Sequence, residues 1–144
     1  MKILFLGQNP SWDPFHKGYT RAFQGTKSGA RLLKWIEEAG IPPELCEFGN
    51  VVDIPTPGNK RPGRGSFSRN ALAYKISKYQ AIVVCGKFAE KAVKSTFLLN
   101  KPDVLYIEHP SGLNRNLNSK AKVRECIRGI KDLYEVSRAR QGKI

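Results

Sequence analysis

The sequence has 144 residues, 40% of them hydrophobic and 10% aromatic, which is enough to bury the core of one domain, predicted to span residues 1–144. This composition excludes an intrinsically disordered chain. The formal net charge of +13 predicts attraction to a polyanion, and nucleic acid is the usual one. The alternative is a generally basic surface without a ligand.

Neither a leader nor a membrane segment is recognised. The first apolar run is too short for a secretory signal, and no segment approaches the roughly 20 apolar residues that cross a bilayer. We therefore expect a cytoplasmic protein without membrane contact, and a monomer requires no further assumption. The cysteines are odd in number and widely separated, so they form neither a disulfide framework nor a CxxC metal site: Cys46, Cys85 and Cys126. We expect them to be reduced and to serve in packing.

Four short apolar runs alternate with four helical patterns along the chain. The apolar runs predict strands at residues 2–7, 47–54, 80–86 and 103–109. The helical patterns predict helices at residues 28–40, 68–79 and 87–97, and a last helix after a cap at Asn118 or Ser119. This alternation is typical of an α/β fold with three layers, α/β/α, around a central four-stranded parallel sheet.

The first and last helical patterns each define an apolar face. The first helix is predicted to end at Gly40 and to bury Leu32, Leu33, Ile36 and Ala39. The last helix is predicted to bury Val123, Ile127, Ile130 and Tyr134.

Basic residues concentrate in the middle of the chain. The segment 54–68 is rich in Pro, Gly and Arg and predicts a long irregular loop. No acidic residue lies between Asp53 and Glu90, and this interval holds Lys60, Arg61, Arg64, Arg69, Lys75, Lys78 and Lys87. The loop is therefore the first candidate for contact with a polyanion.

Polar side chains follow several of the predicted strands. Gln8 and Asn9 come directly after the first strand, Asn50 lies in the second, and His109 ends the fourth, just before Ser111. In open parallel sheets, ligands bind beyond the carboxyl ends of the strands. We therefore expect these side chains to meet at one edge of the sheet, beside the basic loop.

Five segments carry motifs in order along nearly the whole chain: GQNPS, RAFQGTKSGARLL, GNVVDIPTPGNKRP, IVVCGKFAEKAV and HPSGLNRN. The first and the last resemble the two signature motifs of the uracil-DNA glycosylase superfamily. The second is similar to a segment of its iron–sulfur branch. The third resembles the second strand and following loop of that branch and of the mismatch-specific branch, and the fourth looks like the third strand and its helix. The resemblance implies the fold of that superfamily and an enzyme acting on a base flipped out of DNA.

The resemblance also implies roles for residues around the flipped base. Phe23 matches the aromatic that stacks on the base, and Asn50 matches the amide that reads its edge. Gln8 stands where the iron–sulfur branch typically has an acid, and it would shape the same pocket. His109 matches the donor that stabilises negative charge on the departing base. The alternatives are a core phenylalanine, an asparagine that satisfies strand-end backbone, and a histidine that holds a turn.

Asn9 stands where the best-known branch has an aspartate that holds the attacking water, whereas two other branches resemble this chain in having asparagine. An amide cannot take a proton at neutral pH, so Asn9 would orient water without acting as a base. Asp13, in a run similar to Asp-Pro-Tyr-His of the best-known branch, is the other candidate carboxylate. Its alternative is a turn residue before proline.

The resemblance further implies a DNA-contacting loop after the fourth strand. Ser111 would bond a phosphate, and Leu113 would enter the base stack as a wedge, the alternative being an incidental leucine. The cations expected to contact phosphate are Lys60, Arg61, Arg64 and Arg115.

The chain mixes features of the mismatch-specific and iron–sulfur branches but lacks the cluster cysteines, so no cluster, metal or other cofactor is expected. The favoured function is a monofunctional DNA glycosylase, a hydrolase of base excision repair, that removes uracil or another altered base. Two alternatives stay open. One is a glycosylase specific for hypoxanthine, mismatched thymine or a hypermodified base, and the other is a non-catalytic DNA-binding relative.

Overall fold

The computed structural model describes residues 1–19, 22–111 and 115–141, without the side chains of Arg64, Arg115 and Asn116. The strands are β1 (Ile3–Gly7), β2 (Cys46–Asn50), β3 (Ala81–Cys85) and β4 (Asp103–Ile107). The α-helices are α1 (Trp12–His16), α2 (Lys27–Glu38), α3 (Arg69–Ser77), α4 (Lys87–Lys94) and α5 (Lys120–Gln141). Single 3-10 turns lie at Pro43–Leu45, Pro57–Asn59, Arg64–Ser66 and Arg115–Asn118.

The four strands form one parallel sheet in the order β2-β1-β3-β4. The two central strands are buried along their whole length, and the two outer strands are largely half-buried. Gly7 at the end of β1 pairs with Asn50 at the end of β2, so the carboxyl ends lie along one edge. The predicted parallel α/β fold is confirmed.

Helices cover both faces of the sheet, because successive side chains of a strand point to opposite sides. One face packs against α2 and α5, and its core contains Ile3, Phe5, Val83, Leu32, Trp35, Ile130 and Tyr134. The other face packs against α3 and α4, and its core contains Leu4, Leu6, Val84, Leu72, Ile76, Ala89 and Val93. These are the three predicted layers.

The predicted apolar face of α2 is wrong at one position. Leu33 is 56% exposed, whereas Trp35 is 3% exposed and lies in the core. One residue advances the chain about 100° around a helix, which places Leu33 beside the buried stripe, while Trp35 falls within it. Gly40 follows the end of α2 with φ of +76°, as expected of a glycine that stops a helix.

The last helix agrees with its predicted face and with one of its two predicted caps. Ile130 and Tyr134 are buried, and Val123 and Ile127 pack partly against the same core. The Ser119 hydroxyl accepts a hydrogen bond from the amide of Lys122 at 3.4 Å. No helix in the described part of the chain is both long enough and apolar enough to cross a bilayer.

Two local elements differ from the sequence prediction. Strand β2 ends at Asn50, although the amides of Val51 and Val52 still donate to the carbonyls of Gly7 and Gln8. Helix α1, only five residues long, forms in a segment for which no element was predicted. Both differences lie just beyond the carboxyl edge of the sheet.

Candidate active site at the carboxyl edge of the sheet

A small cleft opens at the carboxyl edge of the sheet, where five residues singled out from the sequence meet. They are Gln8, Asn9, Phe23, Asn50 and His109. The volume of the cleft is about 40 Å³, which is room for two or three water molecules. A nucleobase would therefore enter only after the cleft widens.

Asn9 is fixed by the loop that follows β2. Its amide nitrogen donates to the Ile54 carbonyl at 3.2 Å and to the Thr56 hydroxyl at 3.3 Å. Its amide oxygen accepts from the Gln8 amide nitrogen at 3.2 Å. Because an amide oxygen has two lone pairs, Asn9 retains capacity to accept one further hydrogen bond, as from a water molecule.

Asn50 is buried at the end of β2, 6% exposed, and its main chain is held by helix α3. The Lys75 ammonium donates to the Asn50 carbonyl at 2.7 Å and pairs with the Asp53 carboxylate at 3.1 Å. A Cβ atom on Gly7 would lie 2.9 Å from the Asn50 side-chain oxygen. Glycine at position 7 therefore leaves room for the Asn50 amide beside the end of β1.

Phe23 is held in a strained conformation beside this glycine. Its φ is +65°, which costs a non-glycine residue about 1–3 kcal/mol. Its carbonyl accepts from the Thr26 hydroxyl at 2.9 Å and approaches Gly29 so closely that a Cβ there would lie 1.8 Å away. The start of α2 thus fixes the main chain that carries the aromatic ring.

The Phe23 ring lies between the core and the cleft. Its centroid is 6.0 Å from that of His109 and 6.3 Å from that of Phe48, which packs against the core. The ring is half-buried, so it packs against the core and also lines the cleft. Phe23 can therefore pack against the core and still offer part of its ring for stacking.

His109 lies two residues beyond β4. Burial lowers the pKa of its imidazole, because desolvation disfavours the charged form. Around neutral pH the ring is therefore uncharged and carries one N–H donor. Gly86, with φ of +91°, lies behind it, and a Cβ there would approach the His109 Cβ to 3.0 Å.

Further residues support the cleft without having been singled out from the sequence. Tyr19 lines it, with its ring packed against Gly25. Arg31 of α2 donates to the Ser111 carbonyl at 3.2 Å and so ties the segment after β4 to α2. Lys75 and Thr56 act through the contacts described above. The sequence offers no short-range signal for the contacts of Arg31, Lys75 and Thr56, because their partners in Ser111, Asn50 and Asn9 lie far away along the chain.

Of the predicted DNA-contacting residues whose side chains the structure describes, none belongs to the lining of the cleft: Lys60, Arg61 and Ser111. Lys60 and Arg61 are exposed on the loop after β2, and the Thr56 hydroxyl bonds the Lys60 carbonyl. Leu113 lies outside the described residues, as do the side chains of Arg64 and Arg115. Asp13 is exposed in α1 and is absent from the described lining of the cleft.

The meeting of an aromatic ring, three side-chain amides and a neutral imidazole agrees with a comparison against known families. The model of the uracil DNA glycosylase superfamily matches residues 1–131. The chain belongs to the uracil-DNA glycosylase superfamily. No curated protein matches the chain. The superfamily match includes all the cleft residues but gives no role to any of them.

The three cysteines all lie among the described residues, and none of them is exposed. Cys85 and Cys126 are buried, Cys46 is half-buried, and all three are free thiols. Burial raises the pKa of the Cys46 thiol to about 11 and also raises the pKa values of the other two. Across residues 1–19, 22–111 and 115–141, no three His, Cys, Asp or Glu side chains group as metal ligands.

Proposed function

We propose that this chain is a monofunctional DNA glycosylase that hydrolyses the N-glycosidic bond of uracil or another altered base. Superfamily membership supports a DNA glycosylase of base excision repair. The observation that carries the proposal is the cleft that brings together the side chains of Asn9, Asn50 and His109. Each group supplies a separate need of the reaction.

Recognition begins with a base flipped out of the DNA. The Phe23 ring stacks on the base, and the Asn50 amide pairs with its edge through one acceptor and two donors. Gln8 orients Asn9 and bounds the pocket. Outside the cleft, Ser111, Lys60, Arg61, Arg64 and Arg115 contact phosphates, and Leu113 fills the space left by the base.

Bond cleavage leaves negative charge on the base and positive charge on the sugar. The neutral His109 imidazole donates its N–H to the base oxygen that gains charge, which stabilises the leaving group. The Asn9 oxygen holds a water molecule against the sugar carbon. Because Asn9 takes no proton, the proton lost by the attacking water passes to the departed base anion or to solvent, and catalysis depends mainly on stabilising the leaving group. Asp13, exposed and absent from the described lining of the cleft, is assigned no role.

The test is base release from oligonucleotides that each contain one target base, with alkali to cleave the abasic sites. Uracil and hypoxanthine are tested in duplex and single-stranded form, and thymine is tested opposite guanine in a duplex. His109→Ala is expected to lower the single-turnover rate about 100-fold or more, as for loss of a donor to a developing anion. His16→Ala, which removes the exposed histidine of α1, is the matched control.

The outcomes separate the three functions considered. Release of uracil that is lost in His109→Ala and retained in His16→Ala supports the proposal. Release of a different base alone would assign the same chemistry to another substrate. Tight binding of DNA without abasic product from any of these substrates would contradict the proposal and favour a non-catalytic relative or a glycosylase for a hypermodified base.

A further inference from the structure

A second groove lies on the α3 and α4 side of the sheet, away from the cleft. Its volume is about 370 Å³. Most of its lining consists of three cations and two aromatic rings: Arg61, Arg69, Lys91, Phe67 and Phe88. The cleft residues have no part in this lining.

The groove is positively charged because three separate elements each bring a cation to it. Arg61 comes from the loop after β2, Arg69 begins α3, and Lys91 lies in the middle of α4. The Arg69 side chain reaches the Ser95 hydroxyl at 3.4 Å, which places it across the groove from α3 to the end of α4. None of the described lining residues is acidic, so the local potential is that of unopposed cations.

The aromatic part of the groove is a packed pair. The Phe67 and Phe88 rings meet edge to face, with centroids 6.1 Å apart and planes inclined at 72°. Both rings pack partly against the core on this face and both line the groove. The core contact holds the rings in place and leaves part of each ring accessible.

We propose that this groove binds an unpaired stretch of a DNA strand. Cations that follow a phosphate backbone together with aromatic rings that stack on bases are the combination that recognises single strands without regard to sequence. The choice of DNA as the polymer rests on the proposed glycosylase function. The groove would therefore bind strand that flanks the base held in the cleft.

The loop after β2 connects the two sites. Ile54 and Thr56 hold Asn9 in the cleft, and Arg61 of the same loop lines the groove. A strand with its base in the cleft can therefore continue along this loop, past Lys60, into the groove. Duplex DNA buries its bases in the stack, so only unpaired flanks would reach Phe67 and Phe88.

The test is a fluorescence anisotropy titration with a labelled oligothymidine of about 15 nucleotides, near the upper site size of single-strand-binding folds. The double variant Arg69→Ala/Lys91→Ala is expected to bind about tenfold more weakly. The slope of log affinity against log salt should lessen by about 1.4, or about 0.7 for each phosphate that the variant no longer neutralises. Lys34→Ala/Lys131→Ala is the matched control, because it removes the same charge from exposed positions of α2 and α5 on the opposite face.

A second variant tests the aromatic pair. Phe67→Leu keeps an apolar side chain in the core but removes the ring, and is expected to weaken oligothymidine binding about tenfold, the loss of one stacked base. Circular dichroism identifies any loss of folding, and Phe97→Leu, an exposed aromatic outside the groove, is the control.

Equal losses in the groove and control variants would overturn the proposal, as would tighter binding of oligouridine RNA or of an acidic peptide. Because the oligothymidine contains no altered base, binding is measured without excision. Failure of the glycosylase activity and failure of the groove are therefore distinguishable.

Discussion

The cleft and the groove differ in how their side chains are held. In the cleft, the Asn9 amide makes three hydrogen bonds, and Phe23 packs against Gly7 at a distance that admits no Cβ. In the groove, the cations are exposed, and Arg69 makes a single long contact. A fixed arrangement suits bond cleavage, in which small displacements are costly, whereas exposed cations suit contact with phosphates.

The largest effect is expected where the fixed arrangement is most easily disturbed. In Gly7→Ala, the new Cβ would lie 2.8 Å from the Phe23 ring and 2.9 Å from the Asn50 side-chain oxygen. We expect single-turnover base release to fall about 100-fold, the cost of a displacement of about 1 Å in an active site. Gly63→Ala is the control, because a Cβ there meets no atom within 4 Å. Equal activity of the two variants would contradict the fixed packing of Phe23 and Asn50 against Gly7.

A smaller effect on base release is expected from loss of the Lys75 contact that holds the Asn50 main chain. Lys75→Met removes the hydrogen bond to the Asn50 carbonyl, which should lower the free energy of unfolding by about 1 kcal/mol and base release severalfold. Thermal denaturation and single-turnover assays measure the two changes. Lys78→Met, an exposed cation near the end of the same helix, should leave base release unchanged. Normal base release in Lys75→Met would show that Asn50 holds its place without this contact.

Lys60 tests how much an exposed cation outside the cleft contributes to DNA binding. Its exposed ammonium contributes to binding through phosphate alone, so Lys60→Ala should weaken duplex affinity only a few-fold and lessen the salt slope by about 0.9. Binding titrations over a range of salt concentrations measure this slope. The rate of base release at saturating enzyme should not change. A loss in that rate would place Lys60 within the chemistry.

The smallest effect is expected from pH. The pKa of His109 is lowered by burial, so the unfolded chain binds more protons than the folded chain as pH falls below the unfolded value of about 6.5. Stability is therefore complete above that value and declines as the solution is acidified. Thermal denaturation should show a smaller decline for His109→Asn than for the parent chain. Identical declines would mean that the ring is not buried as described.

The sequence predicted which residues meet in the cleft better than it predicted the contacts that hold them in place. Asn9, Asn50 and His109 were expected together because parallel strands end at one edge, and a strand pattern is local in the sequence. The contacts of Lys75 with Asn50 and of Arg31 with Ser111 join residues 25 and 80 positions apart, which no local pattern reveals. Leu33 and Trp35 of α2 show a similar limit, because residue spacing alone predicted that Leu33 is buried and did not identify Trp35.

The central claim is that Asn50 and His109 act together on one bound base. The direct measurement is the single-turnover rate of uracil release for Asn50→Ala, His109→Ala and the double variant. Groups that act as a unit are not additive, so the double variant should be about as slow as the slower single variant. Losses that multiply, or a parent chain that releases no base, would contradict the account.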